Sequence, residues 1–149
     1  QQHCMDAARE RLGATHDILL PDDQLVEKVK QIAGGEGVDM VFVAADDVDL
    51  VPQAIQMVKR RGVVVLVALL TEAPLTLRAY DLIGRELHLI GSNMANNADV
   101  VRAIQLAETH QVDVSAIHTH TLPIEQAQRG MELAHTKDDG AIKVILTFE

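Results

Sequence analysis

The sequence predicts an α/β fold built on a mostly parallel sheet, and three observations predict it. Aliphatic runs of strand length recur at VDMVFVAA (38–45), VVVLVALL (63–70), LHLIGS (87–92) and AIKVILTF (141–148). Stretches with helical spacing alternate with them, the order that yields parallel strands joined by helical crossovers. The 149 residues are 48% hydrophobic yet hold two Phe, one Tyr and no Trp. The core is therefore aliphatic, which suits a parallel sheet covered on both faces.

Taken in order, Asp6 to Leu12 favour helix, and Gly13 is placed to end it in a left-handed conformation. Ile18-Leu19-Leu20 then predict a short strand before Pro21. Asp22-Asp23 precede a helix over 24–33, in which Leu25, Val26, Val29 and Ile32 share one face. Gly34-Gly35 stop it. The 38–45 run is too continuous for a half-exposed strand and too β-branched for a comfortable helix, so it reads as a buried strand. Asp46-Asp47 and Asp49 open a helix that tolerates an early Pro52 and runs to Arg61, where Gly62 ends it. The strand 63–70 follows. Pro74 and Leu75-Thr76-Leu77 suggest an extended piece, and 79–83 a short helix before the strand 87–92. Asn97 caps a helix to His110, Pro123 opens another containing Ile124, Ala127, Met131 and Ala134, and 141–148 closes as a strand. One domain over 1–149 is the expectation from length.

The bulk chemistry excludes several classes. A formal charge of −9 argues against a nucleic-acid partner, since a phosphate-binding face needs clustered Lys and Arg. Lys59-Arg60-Arg61 is the only basic run and reads as decoration of a helix C-terminus. No apolar run approaches the ~20 residues that span a bilayer. A single cysteine, Cys4, forms no internal disulfide and has no CxxC partner, so cytoplasmic residence is the expectation.

His118 and His120 stand two apart on a strand face. They form either a two-ligand metal element or, more plainly, a polar edge strand, because zinc needs three or four ligands. Asp22-Asp23 and Asp46-Asp47-Asp49 read as cation ligands, as a general acid/base pair or as caps, and their positions at helix starts favour caps. The glycine-rich GGEG (34–37) runs from helix to strand, the reverse of a phosphate-cradling loop, and is a turn. The C-terminal ends of the three central strands, VAADD (43–47), VALLT (67–71) and IGSN (90–93), are built from small or apolar residues with few charges. In an open parallel sheet, ligands bind outside these ends. Their composition suits a flat, uncharged ring, or simply tight loop packing.

The ordered series GVDMVFVAADD, AIQMVKRRGVVVLVALL, RELHLIGSN, LPIEQAQRGMELAH and GAIKVILTF resembles the cofactor domain of medium-chain, zinc-type alcohol and polyol dehydrogenases. The opening AARERLGATHDIL is similar to that family's helix after its second strand. The resemblance covers nearly the whole chain, and order and spacing carry it more than any single motif. It implies a truncated Rossmann-type, doubly wound sheet lacking its first two strands. A catalytic zinc domain, a G-x-G-x-x-G turn and an acidic ribose-binding strand end would precede this stretch in a longer enzyme. The 149 residues contain no G-x-G-x-x-G.

By position, the resemblance places Ala44 and Ala45 beside the adenine ribose and nicotinamide side of NAD or NADP. It places Ala68, Leu69 and Leu70 around the nicotinamide, Gly91, Ser92 and Asn93 behind the ring, and Lys143 near the pyrophosphate, where lysine offers charge without a bidentate fork. No catalytic or metal-binding residue is expected in this chain. The implied parent oxidises a secondary alcohol or polyol to a ketone with zinc and a nicotinamide cofactor. A zinc-independent quinone or enoyl reductase, or an α/β binding module without chemistry, are the alternatives. A homo-oligomer is expected, because removing two strands leaves the 38–45 strand an unpaired edge and the family dimerises near 75–77 and 87–91.

Overall fold

Local signals set most elements. In the computed structural model, which describes residues 2–70 and 74–148, helix α1 (Gln2–Arg11) stops at Gly13, whose φ of +81° is left-handed. The expected strand at Ile18-Leu19-Leu20 does not form. Residues 13–20 have no regular structure, and Leu19 and Leu20 are 57% and 47% exposed. Three apolar residues closed by Pro21, which lacks an N–H, are too short to hold a ladder. The chain divides into two compact units, Leu20–Met94 and Gln1–Leu19 with Ala95–Glu149.

The first of these carries a three-stranded sheet. Its elements are α2 (Leu25–Ile32), β1 (Val38–Val43), α3 (Leu50–Met57), β2 (Val58–Leu66), α4 (Ala79–Ile83) and β3 (His88–Gly91). Strand order is β1-β2-β3, and both ladders are parallel. Helix α3 packs on β1 and β2. Val43, Val51, Ala54, Ile55, Val58 and Val64 form the buried cluster between them. Burying each valine fully contributes on the order of 1.5–3 kcal/mol.

Several expectations change here. Strand β1 ends at Val43, so Ala44 and Ala45 lie beyond it. It is not covered on both faces: Met40 and Phe42 are 46% and 63% exposed, while Val43 is buried. The helix expected to reach Arg61 stops at Met57. There the half-buried Arg85 guanidinium donates to the carbonyls of Ile55 (2.8 Å) and Val58, satisfying acceptors that a longer helix would have used. The basic run consequently sits in β2, not at a helix end. Between the Val38–Val58 and Met40–Val63 pairs the register shifts, and Lys59 to Gly62 bulge out. Lys59 pairs with Asp39, and Arg60 and Arg61 both reach Glu86. Strand β2 also ends at Leu66, short of Leu70.

The second unit contains α1, α5 (Asn97–Glu108), β4 (His118–Pro123), α6 (Ala127–Thr136) and β5 (Lys143–Thr147). Helix α5 is capped by Asn96, one residue before the expected Asn97, in a reciprocal box with Asp99. Strands β4 and β5 pair in parallel as a separate two-stranded sheet, so the strands do not share one sheet. Arg11 ties α1 to the turn before β4 through Asp113 (2.9 Å) and Ser115 (2.7 Å). Among the described residues no helix is long and apolar enough to cross a membrane.

Candidate functional site

Every strand of the three-stranded sheet runs the same way, so the C-terminal ends of β1, β2 and β3 collect at one rim. Backbone bonds hold the loops there. The N–H groups of Val67 and Ala68 both donate to the carbonyl of Val43, at 2.9 and 3.1 Å, folding the exit of β2 over the end of β1. Ser92 N–H donates to Leu66 O at 2.9 Å, carrying the β2–β3 pairing one residue past the strands. Asp47 N–H donates to Ala45 O at 2.9 Å and turns the chain toward α3.

This rim brings together eight of the nine residues expected at a cofactor. Ala44, Ala45, Gly91, Ser92 and Asn93 are exposed, and Ala68 is half-buried. Leu69 projects with 74% of its surface open. Leu70 packs against the core cluster with a φ of +46°, a conformation that costs a non-glycine residue about 1–2 kcal/mol. Thr71, the last residue of VALLT, lies outside the described residues. None of the eight carries a charge. Lys143 belongs to the other unit, where it is exposed at the start of β5 and its carbonyl accepts from Thr119 Oγ1 at 3.1 Å.

The ion pairs of the three-stranded sheet sit away from these eight, while the carboxylates of Asp46 and Asp47 directly follow Ala45. Arg61 and Arg60 hold the Glu86 carboxyl below its ordinary range, and Lys59 does the same for Asp39. Both pairs lie toward the N-terminal ends of the strands. Asp22 is likewise depressed, by Lys28 first and the Gln24 N–H second. In the other unit the Ser115 hydroxyl, with Arg11, lowers Asp113.

The acidic pairs act as local turn formers. Asp22 Oδ1 accepts from Gln24 N–H at 2.8 Å, and Asp47 Oδ1 from Asp49 N–H at 3.0 Å, each just ahead of its helix. His118 Nε2 lies 2.8 Å from Thr121 Oγ1, and His120 Nε2 lies 3.4 Å from Asp139 Oδ2. Among the described residues no three His, Cys, Asp or Glu side chains gather as metal ligands.

One feature escaped the sequence reading: a cleft of about 750 Å³ walled by residues 20–23 and 25–27 and by Asp47, Leu50, Gln53 and Gln56. Its signal was present in two aspartate pairs, each preceding an amphipathic helix. Helices α2 and α3 pack against each other, which brings Asp22, Asp23 and Asp47 to one cleft.

The family model for zinc-binding dehydrogenases matches residues 1–109. The chain belongs to the zinc-binding dehydrogenase family. As a member it is 28% identical over 142 residues to L-threonine 3-dehydrogenase of Bacillus velezensis, covering 94% of this chain and 40% of that protein. Sorbitol dehydrogenase of Bacillus subtilis is 25% identical over 139 residues, covering 93% and 39%. An alcohol dehydrogenase of Escherichia coli CFT073 solved with NADH superposes with a TM-score of 0.87 at 20% identity, over 99% of this chain and 42% of that one. That likeness shows the fold: this is an α/β chain of the Rossmann type found in alcohol dehydrogenases. The family member spans about 40% of the length of the curated relatives it matches.

Proposed function

We propose that this chain forms the nicotinamide side of the cofactor site of an NAD(P)-dependent, zinc-type dehydrogenase that oxidises a secondary alcohol or polyol to a ketone. The observation that supports this is the largely exposed rim at the ends of β1, β2 and β3, whose eight named residues carry no charge. A neutral aromatic ring fits it. Ala44, Ala45 and Gly91 offer little bulk, Leu69 offers an apolar face, and Ser92 and Asn93 offer polar side chains to a carboxamide. A bound nicotinamide supplies the hydride acceptor; these residues bind it, orient it and keep water from one of its faces.

The pyrophosphate fits the rim less well, since the eight residues contain no cation. Lys143 is the residue proposed to face it. The zinc that polarises the alcohol would be held by residues outside this chain. The relatives named for threonine and sorbitol support an alcohol or polyol as substrate, and a homo-oligomer remains part of the reading.

Gly91→Val tests the proposal. A Cβ at Gly91 meets no atom within 4 Å, so the fold tolerates it while the ring's space is filled. Titration of the chain with NADH, followed by amide chemical shifts, is expected to show affinity reduced about tenfold or more (1.4 kcal/mol) with an unchanged melting temperature. Unchanged affinity in a folded variant overturns the assignment of this rim.

A further inference from the structure

Strands β4 and β5 do not pair evenly. His118 lies opposite Lys143, but the register then slips and His120 lies opposite Val144. Thr119 is left without a partner, a β-bulge in β4. A bulge interrupts the ladder, and here a side chain bridges the gap. Thr119 Oγ1 accepts the Ile142 N–H at 3.0 Å and donates to the Lys143 carbonyl at 3.1 Å. Between those two backbone atoms lie the φ and ψ angles of Ile142 and Lys143, so one hydroxyl fixes the entry to β5. A hydroxyl has a single proton to give. With that proton on the Lys143 carbonyl, the 3.0 Å contact of His120 Nδ1 with Oγ1 is an N–H donated by the ring. His120 Nε2 lies farther from its own neighbour, 3.4 Å from the exposed Asp139 carboxylate, so the neutral ring keeps its proton on Nδ1. The slip also parts the two histidines expected on one face. His120 joins the half-buried row of Leu122, Val144 and Leu146 beside α6, while His118 is exposed with Lys143.

We propose that Thr119 is a positioning residue for Lys143: its hydroxyl, oriented by the Nδ1–H of His120, sets the backbone from which the lysine ammonium reaches a diphosphate. This rests on the reading that Lys143 faces the pyrophosphate of the cofactor. A lysine ammonium is a point charge on a flexible four-carbon stem, without the rigid fork of arginine. The stem supplies little direction, so the direction must come from the Cα. A backbone left loose at residues 142 and 143 has to be ordered when the ligand binds. That entropic cost lowers affinity by about three- to tenfold.

The test is a double-mutant cycle read by NADH titration of the isotope-labelled chain. It compares the unaltered chain with Thr119→Val, Thr119→Ser, Lys143→Ala and the Thr119→Val/Lys143→Ala pair. Valine keeps the shape of threonine and lacks the hydroxyl. It is expected to weaken binding about three- to tenfold, and serine is expected to restore most of the loss. Once Lys143 is alanine, valine at 119 should cost nothing further, whereas a role confined to stability would cost the same on either background. Unchanged affinity in a folded Thr119→Val chain, no rescue by serine, or an equal loss on the alanine background overturns the inference. Each leaves Lys143 at the pyrophosphate if Lys143→Ala still weakens binding. Lys143→Ala without effect overturns the cofactor reading of Lys143 and this inference with it. Two measurements on the unaltered chain need no variant to fold. Slow exchange of the Ile142 amide is expected, as is a ring-nitrogen spectrum that places the proton of neutral His120 on Nδ1. A freely exchanging Ile142 amide, or a proton on Nε2, removes the bridge and the proposal.

Discussion

Replacing Gly37 by alanine is expected to be the most damaging single-methyl change in the three-stranded unit. Gly37 is buried and has a φ of +106°. A Cβ there would stand 2.2 Å from Met57 O and 3.1 Å from Lys59 N, inside the backbone junction where α3 becomes β2. Gly35 is the internal control, because its φ is +104° and nothing lies within 4 Å of its Cβ. Gly35→Ala thus carries only the conformational cost, about 1–3 kcal/mol. Gly37→Ala carries that cost and an overlap that the backbone must relieve, a further ~1–3 kcal/mol. Together they amount to about 2–6 kcal/mol, a large share of the ~5–15 kcal/mol that holds a domain folded. Fluorescence reports little here, with no Trp and a single Tyr80 that is 79% exposed. Native-state hydrogen exchange at the amides of Val41, Val43 and Val64 reads the opening energy of this unit directly. If Gly37→Ala costs no more than Gly35→Ala, the close approach of β1 to the α3–β2 junction is wrong.

Other outcomes follow from the same contacts. Arg85→Ala removes a charged donor from two carbonyls at the end of α3 and is expected to destabilise the chain by about 1.5–3 kcal/mol in urea unfolding followed by circular dichroism; Arg85→Lys should recover only part of this. Glu86 is held below its ordinary pKa by Arg61 and Arg60, so its contribution is complete above the ordinary carboxylate range and disappears as pH falls through the depressed value. Glu86→Gln is therefore expected to flatten the acid limb of a pH–stability curve and leave its alkaline limb unchanged. In the longer dehydrogenase proposed above, Lys143→Ala should raise the Michaelis constant for the cofactor without lowering the melting temperature, and an unchanged constant would remove Lys143 from the proposed site.

The parallel α/β class and the strand-end rim were legible because both rest on local pattern: Val-rich runs, glycine stops, and small residues after each strand. What was not legible depends on partners distant in sequence. Lys59-Arg60-Arg61 look like the end of a helix until Glu86 and Asp39 are brought beside them, and Arg85 ends α3 from 30 residues away. The run through Met40 and Phe42 reads as doubly buried because hydrophobicity does not reveal which face a helix covers. Asn96 and Asn97 are the same residue chemically, and only the position of Asp99 decides which closes the capping box. The cleft needs α2 and α3 side by side, a relation that no single stretch of sequence contains.

The central claim is that a nicotinamide ring lies across the ends of β1, β2 and β3. Amide chemical-shift mapping of the chain titrated with NADH tests it most directly. Binding weaker than micromolar is expected, because the sequence holds no G-x-G-x-x-G turn to grip the pyrophosphate. At millimolar NADH, shifts are predicted at Ala44, Ala45, Ala68 to Leu70 and Gly91 to Asn93. Lys59 to Gly62 and Arg85 to Leu87, at the opposite end of the strands, should stay still. Shifts concentrated at that opposite end, or none at the strand ends at saturating ligand, would contradict the account.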